Sequence, residues 1–150
     1  MHSRPRRHKA SFGGLFVVVA TVLLMSGFGA SANRDVQVVR AWSAALNAGD
    51  DAKAASYFAP NAKVVQGSLV AILRTKRSAV VFNASLPCSG KIVATTVRNH
   101  LVTATFVLGQ RPGHRCDGPG QKAYAALRIT SGKITLWHQL PGPANGGTSI

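Results

Sequence analysis

From Asp35 onward, apolar residues recur at Val38, Val39, Trp42, Ala45 and Leu46. Steps of three and four place them on one face of a helix, because 3.6 residues complete a turn. Asp35 suits the N-cap or first turn, where a carboxylate meets unpaired N–H groups. Asn47-Ala48-Gly49-Asp50 ends this helix, with Gly49 as the stop residue. Asp50 then caps a second helix, with Asp51 in its first turn. That helix is expected to run to about Phe58, with Ala54, Ala55, Tyr57 and Phe58 inward, and to be ended by Pro60.

Beyond Pro60 the period shortens. Lys63 to Gln66 and Leu69 to Leu73 read as short strands around Gly67-Ser68. Thr75 is placed to cap a third helix over Lys76 to Asn83. Lys91 to Arg98, Leu101 to Gln110, Lys122 to Thr130 and Lys133 to Leu140 are β-branched and partly alternating. Asn99-His100 and Ser131-Gly132 are tight-turn pairs between them. Arg111 to Gly120 is a loop by composition, with Asp117 in a turn role, and Pro141 to Ile150 reads as a flexible tail. Helices first and a meander of antiparallel strands afterwards make an α+β domain, with helices on one side of a curved sheet.

Composition adds a compartment. The chain has 150 residues, of which 46% are hydrophobic, enough for one domain with a real core. Lys plus Arg number 18 against 4 acids, and no residue is Glu. Arg4, Arg6, Arg7 and Lys9 open the chain, and Phe12 to Phe28 follows without a charge. Ala30 and Ala32 then have the A-x-A spacing of a signal-peptidase site. Residues 1–32 therefore read as a secretory signal, with Asn33 as the mature start, or as a retained membrane anchor. Both readings place the remainder outside the cytoplasmic membrane. The formal net charge of +14 favours anionic partners such as an envelope polymer. Arg74 to Arg77 with Arg111 and Arg115 could form such a patch, or simply a solvated face. Nucleic acid is not expected, because the aromatic residues fall at core-like positions.

The two cysteines, Cys88 and Cys116, read as a disulfide in that compartment. It would pin the third helix to the sheet. The rival is a metal site of Cys88, Cys116 and His114, which lacks any C-x-x-C pair. No cofactor is expected. Asn83-Ala84-Ser85 matches a glycosylation acceptor, a triplet common by chance.

The stretch VVRAWSAALNAGDDAKAASYFAPNAKVV resembles the first two helices of the nuclear transport factor 2-like superfamily. That cone-shaped fold is shared by ketosteroid isomerase and the SnoaL-type polyketide cyclases. ITSGKITLWHQL resembles its last hairpin, so the resemblance covers about residues 36–140. PCSG followed by GHRCDGPG resembles secreted actinobacterial-type members. The domain is thus expected over residues 33–140. In isomerase-type members a Tyr and a protonated acid hold an oxyanion while a second carboxylate moves the proton. Matched onto this chain, those positions carry Trp42, Ala125 and Gln66. Gln66 takes no proton near neutral pH, and Trp42 offers only an indole N–H.

Other enzymes of the fold use an Asp–His pair. Here the acids fall at helix ends and turns, and His100 and His114 at surface positions. His138 remains as a weak catalytic candidate, facing the opposite side of its strand from Trp137. The resemblance therefore implies a secreted, non-enzymatic module for a small hydrophobic ligand or a partner protein. Its expected pocket residues are Trp42, Phe58, Gln66, Phe82, Phe106, Tyr124 and Trp137. The alternatives are a SnoaL-type lyase or isomerase using His138 with Gln66 or Tyr57, and an envelope polyanion binder. Pairing of two copies through the sheet face is a further expectation of the resemblance.

Overall fold

The computed structural model describes residues 27–142. The expected signal therefore lies outside the described residues except for its last six positions, as does most of the expected tail. No helix among the described residues is long and apolar enough to cross a membrane.

The first helix, α1, spans Gly27–Asn47 and starts eight residues before Asp35. No proline interrupts Gly29 to Arg34, so the helix continues backward. Asp35 is consequently a mid-helix residue rather than a cap. It is buried, and its Oδ2 lies 2.8 Å from Nδ1 of His100. Val39, Trp42, Ala45 and Leu46 follow it into the interior on the same face. The helix ends in a Schellman motif: Gly49 N–H donates to the Leu46 carbonyl and Asp50 N–H to that of Ala45. Gly49 has φ of +75°, and an added Cβ would come within 3.3 Å of Pro112. Both the dihedral and the close approach call for glycine there.

Asp50 caps α2, Asp51–Ala55, by accepting from Lys53 N–H at 2.9 Å. This helix is shorter than the periodicity predicts. Phe58 already belongs to strand β1, Phe58–Gln66, and pairs with Ile134. Pro60 does not end a helix; it sits in that strand at a register shift between Phe58 and Lys63. A ladder partner 76 positions away decides this boundary, and local spacing carries no trace of it.

Strand β2, Leu69–Leu73, turns back at Gly67. Helix α3, Lys76–Ser85, starts with a reciprocal capping box between Thr75 and Ser78. Four strands follow: β3 Ser89–Arg98, β4 Leu101–Gly109, β5 Lys122–Thr130 and β6 Lys133–Leu140. They form the predicted antiparallel meander. The sheet order is β2-β1-β6-β5-β4-β3, and β6 lies parallel to β1. The curved sheet is therefore mixed, where the sequence pointed to a purely antiparallel one. The chain leaves β2 through α3, starts again at the opposite edge, and meanders back to β1. The helices pack on one face of this sheet.

The loop after β4 is tied down twice. Cys88 and Cys116 form a disulfide across 28 positions, so neither thiol is left for a metal. Closing such a loop is worth roughly 3–4 kcal/mol in the chain-entropy model. Arg111, expected in an exposed basic patch, is instead buried. Its Nη1 donates to the carbonyls of Asn83 at 3.0 Å and Leu86 at 2.9 Å, and its Nη2 pairs with Asp51. Both carbonyls lie at the end of α3; that of Asn83 also accepts from the Leu86 N–H, at 3.2 Å. Asp51, read as a first-turn charge, thus also anchors a loop 60 positions away. Arg74, Lys76, Arg77 and Arg115 stay exposed.

Candidate functional site

Between α1 and the inward face of the sheet lies an apolar cavity of about 200 Å³. Helix α1 supplies Trp42, Ser43 and Leu46. The sheet supplies Phe106 from β4, Ala123 and Ala125 from β5, and Trp137 and Gln139 from β6. The Leu86–Gly90 segment, with one end of the disulfide, closes a side. Its position is fixed by polar contacts. Ser43 Oγ donates to the Gly90 carbonyl at 2.8 Å, and Gly90 N–H donates to Asn47 Oδ1 at 2.8 Å. Gly90 also has no room for a side chain, since a Cβ would lie 2.8 Å from the Phe106 ring. Helix, strand edge and aromatic wall are locked together at that residue.

The aromatic rings form one edge-on chain. Trp42 meets Phe58 and Phe106, each at 6.3 Å between centroids. Phe82 lies 5.7 Å from Phe58 and 5.2 Å from Trp137. Such edge-to-face contacts each add roughly 0.5–1.5 kcal/mol beyond simple burial. Of the seven expected pocket residues, Trp42, Gln66, Phe106, Tyr124 and Trp137 line the cavity. Phe58 and Phe82 do not reach it; they stand behind the two tryptophans. Tyr124 is a rim residue, because its register opposite Thr105 and Leu140 places it with the outward face. Sequence reasoning missed the Leu86–Gly90 wall and Gln139. The latter was findable, since it lies two positions beyond Trp137 and so shares its face.

The polar groups here are neutral. Trp42 Nε1 donates to Asn83 Oδ1 at 2.8 Å, and Asn83 Nδ2 donates to the Ala79 carbonyl at 2.8 Å. The indole N–H, at the position that the resemblance matches to a tyrosine, is therefore spent inside the protein. Asn83 is fully buried, which removes its amide from any glycosylating enzyme in the folded state. Trp137 Nε1 is buried without a hydrogen-bond partner among the described residues. Ala125, at the position that the resemblance matches to an acid, is a small apolar part of the wall. Gln66 and Gln139 are neighbours, because β1 and β6 run parallel with Val64 beside Trp137 and Val65 beside His138. Among the described residues no carboxylate or histidine lines this cavity.

His138 lies elsewhere. Trp137 and Gln139 face the cavity, so His138 faces outward, half-buried between Val65 and Ala126. The fourth acid, Asp117, is exposed in the disulfide loop, and His114 lies beside it, bridged to Arg111 by backbone pairing.

No family model and no curated protein sequence matches this chain. Solved structures do. A nuclear transport factor 2-like protein of unknown function from Cytophaga hutchinsonii superposes with a TM-score of 0.59 at 13% identity, over 73% of this chain and 90% of that one. A candidate polyketide cyclase from Sinorhizobium meliloti gives 0.56 at 16%, over 69% and 94%. A ketosteroid isomerase-like protein from Catenulispora acidiphila, crystallised with trimethylamine, gives 0.56 at 18%, over 71% and 85%. At these identities the likeness concerns backbone, not chemistry. The chain has the α+β fold of the nuclear transport factor 2-like proteins.

Proposed function

We propose that this is an extracytoplasmic, disulfide-stapled binding module that holds a small apolar molecule between α1 and the sheet. One observation carries the proposal: the cavity is walled by both tryptophans of the chain and by Phe106, with only neutral polar groups among them. Where isomerase-type proteins keep Tyr, base and acid, this chain has a Trp with its donor occupied, an amide and a methyl group. A volume of about 200 Å³ slightly exceeds the ~150 Å³ void that holds benzene in an engineered core, and is below the ~300–1,000 Å³ of drug-sized sites. The ligand class is therefore one ring or a short branched chain. Burying roughly 200 Å² of apolar ligand surface is worth about 5 kcal/mol, which corresponds to a Kd of about 0.2 mM. A hydroxyl or carbonyl tip reaching the adjacent amides of Gln66 and Gln139 would tighten that.

The disulfide and the expected signal support the compartment. A lyase or isomerase built on His138 would need its substrate on the outward face of the sheet. The exposed Arg74, Lys76, Arg77 and Arg115 favour a second role, attraction to an anionic envelope, which salt should weaken steeply. Native mass spectrometry of protein recovered from outside its own cells tests the main reading. The expected spectrum starts at Asn33, lacks the two thiol hydrogens, and carries an apolar adduct. A species that arrives empty and takes up no small apolar molecule overturns it.

A further inference from the structure

A second site lies at the opposite end of the sheet, where α1 crosses the β3–β4 and β5–β6 turns. An open cleft of about 540 Å³ is lined there by Arg34 and Asp35 from α1, His100 from the first turn, and Arg128 with Thr130 and Ser131 at the second. Three features set it apart from the basic surface at large. Asp35 is a buried carboxylate of α1, and it holds His100 by one ring nitrogen at 2.8 Å. The residue it holds is 59% exposed, so the other edge of the imidazole is left open to the cleft. The turn that presents it is strained: Asn99 and His100 both have positive φ, of 47° and 60°. Glycine is the usual occupant of the second position of such a turn, and a histidine there is held against its backbone preference.

The charges around the ring do not balance. The chain has four acids, and only Asp35 lines this cleft. Arg34 and Arg128 are exposed on either side, and neither has a carboxylate partner among the described residues. Arg128 is steadied by donating from Nη1 to the Asn99 carbonyl at 3.2 Å, on the same turn that carries His100. Two guanidiniums are hydrogen-bond donors to a tetrahedral oxyanion, which offers several acceptors at once. With Nδ1 engaged by Asp35, the free Nε2 of His100 donates to a P–O oxygen when the ring is protonated and accepts from a P–OH when it is neutral. Hydroxyls from Thr130 and Ser131 add neutral donors.

We infer that this cleft binds a phosphate-type oxyanion, with Arg34, His100 and Arg128 as its ligands and Asp35 as the positioning residue for His100. All four lie beyond the expected cleavage point after Ala32, so removal of a signal would retain them, although Ser31, which also lines the cleft, would go.

Titrating inorganic phosphate into the protein at fixed ionic strength, followed by backbone amide NMR, tests the inference. The expected result is saturable shifts at Asn99, His100, Ser131 and Gly132. The double variant Arg34→Ala with Arg128→Ala should weaken binding at least tenfold. Arg74→Ala with Arg77→Ala removes the same charge elsewhere and should leave the affinity unchanged. His100→Gln should weaken it several-fold, and Asp35→Asn by less, through the position of the ring. Phosphatidylglycerol vesicles run in parallel separate the two sources of such a group. Co-sedimentation lost in the cleft double variant alone assigns a lipid headgroup, and phosphate binding without vesicle binding assigns a free anion. Equal losses in both double variants mean diffuse attraction and overturn the site. So does the absence of saturable shifts in the unaltered protein, a result that needs no variant to fold.

Discussion

Helix α1 serves two regions within about two turns of each other, and each is completed by the same strands. At one end Trp42 and Leu46 face Phe106, Ala125 and Trp137 in a cavity without charge. About 10 Å back along the helix, Asp35 meets His100 beside two arginines. The difference follows from what lines each region. Trp42, Leu46, Phe106, Ala125 and Trp137 are all more than nine-tenths buried in apolar surroundings, so a charge among them would lose its solvation without repayment. The cleft lies at hairpin turns, where water reaches the arginines and only Asp35 is withdrawn. The one charged side chain buried at the apolar end among the described residues, Arg111, is permitted because Asp51 and two helix-end carbonyls receive it.

Variants that damage one end should leave the other intact, except where they unfold the whole. The largest effect is expected from Arg111→Ala, which strands Asp51 and takes the side-chain donor from the Leu86 carbonyl at the end of α3. It should cost about 3–5 kcal/mol in urea unfolding; a loss under about 1 kcal/mol would mean that this buried contact is dispensable. Replacing both cysteines by serine should cost roughly 3–4 kcal/mol by the same assay. The apolar end should loosen first, seen as faster amide exchange at Gly90. Gly90→Ala comes next. Its methyl group meets Phe106 at 2.8 Å, so the ring must shift, at a cost of about 1–3 kcal/mol. Ligand affinity in the cavity should fall while phosphate shifts at His100 persist; parallel losses at both ends would contradict their independence. Asp35→Asn should be mildest, at about 1 kcal/mol or less, because His100 is largely solvated. It should leave the cavity unaffected.

Much of this layout was legible in the sequence, and the misses share a cause. Asp50, Gly49, Thr75 and the paired turns act through neighbours a few positions away, so spacing alone identified them. The inward set of α1 was right for the same reason. Contacts across long separations were not legible. Nothing near Arg111 signals Asp51, and nothing near Asp35 signals His100. The α2–β1 boundary fell at Ala55 rather than Phe58 because Ile134 competes for the chain, and the parallel β1–β6 pair depends on the path of the whole meander. At the cavity, five of the residues expected from the resemblance fall on the lining. Phe58 and Phe82 were misplaced by one layer, since apolarity marks a residue as inward without telling wall from backing.

The central claim is that the apolar end holds a small apolar ligand, and the chain carries its own probe. Both tryptophans line the cavity, so intrinsic fluorescence reports on little else. The decisive measurement is a titration with cyclohexanol, a single apolar ring with one polar tip, against the unaltered protein and Ala123→Leu, which fills the cavity from β5. The account predicts a saturable emission change in the first and at least a tenfold weaker response in the second. No saturation, or identical curves for both proteins, would contradict it.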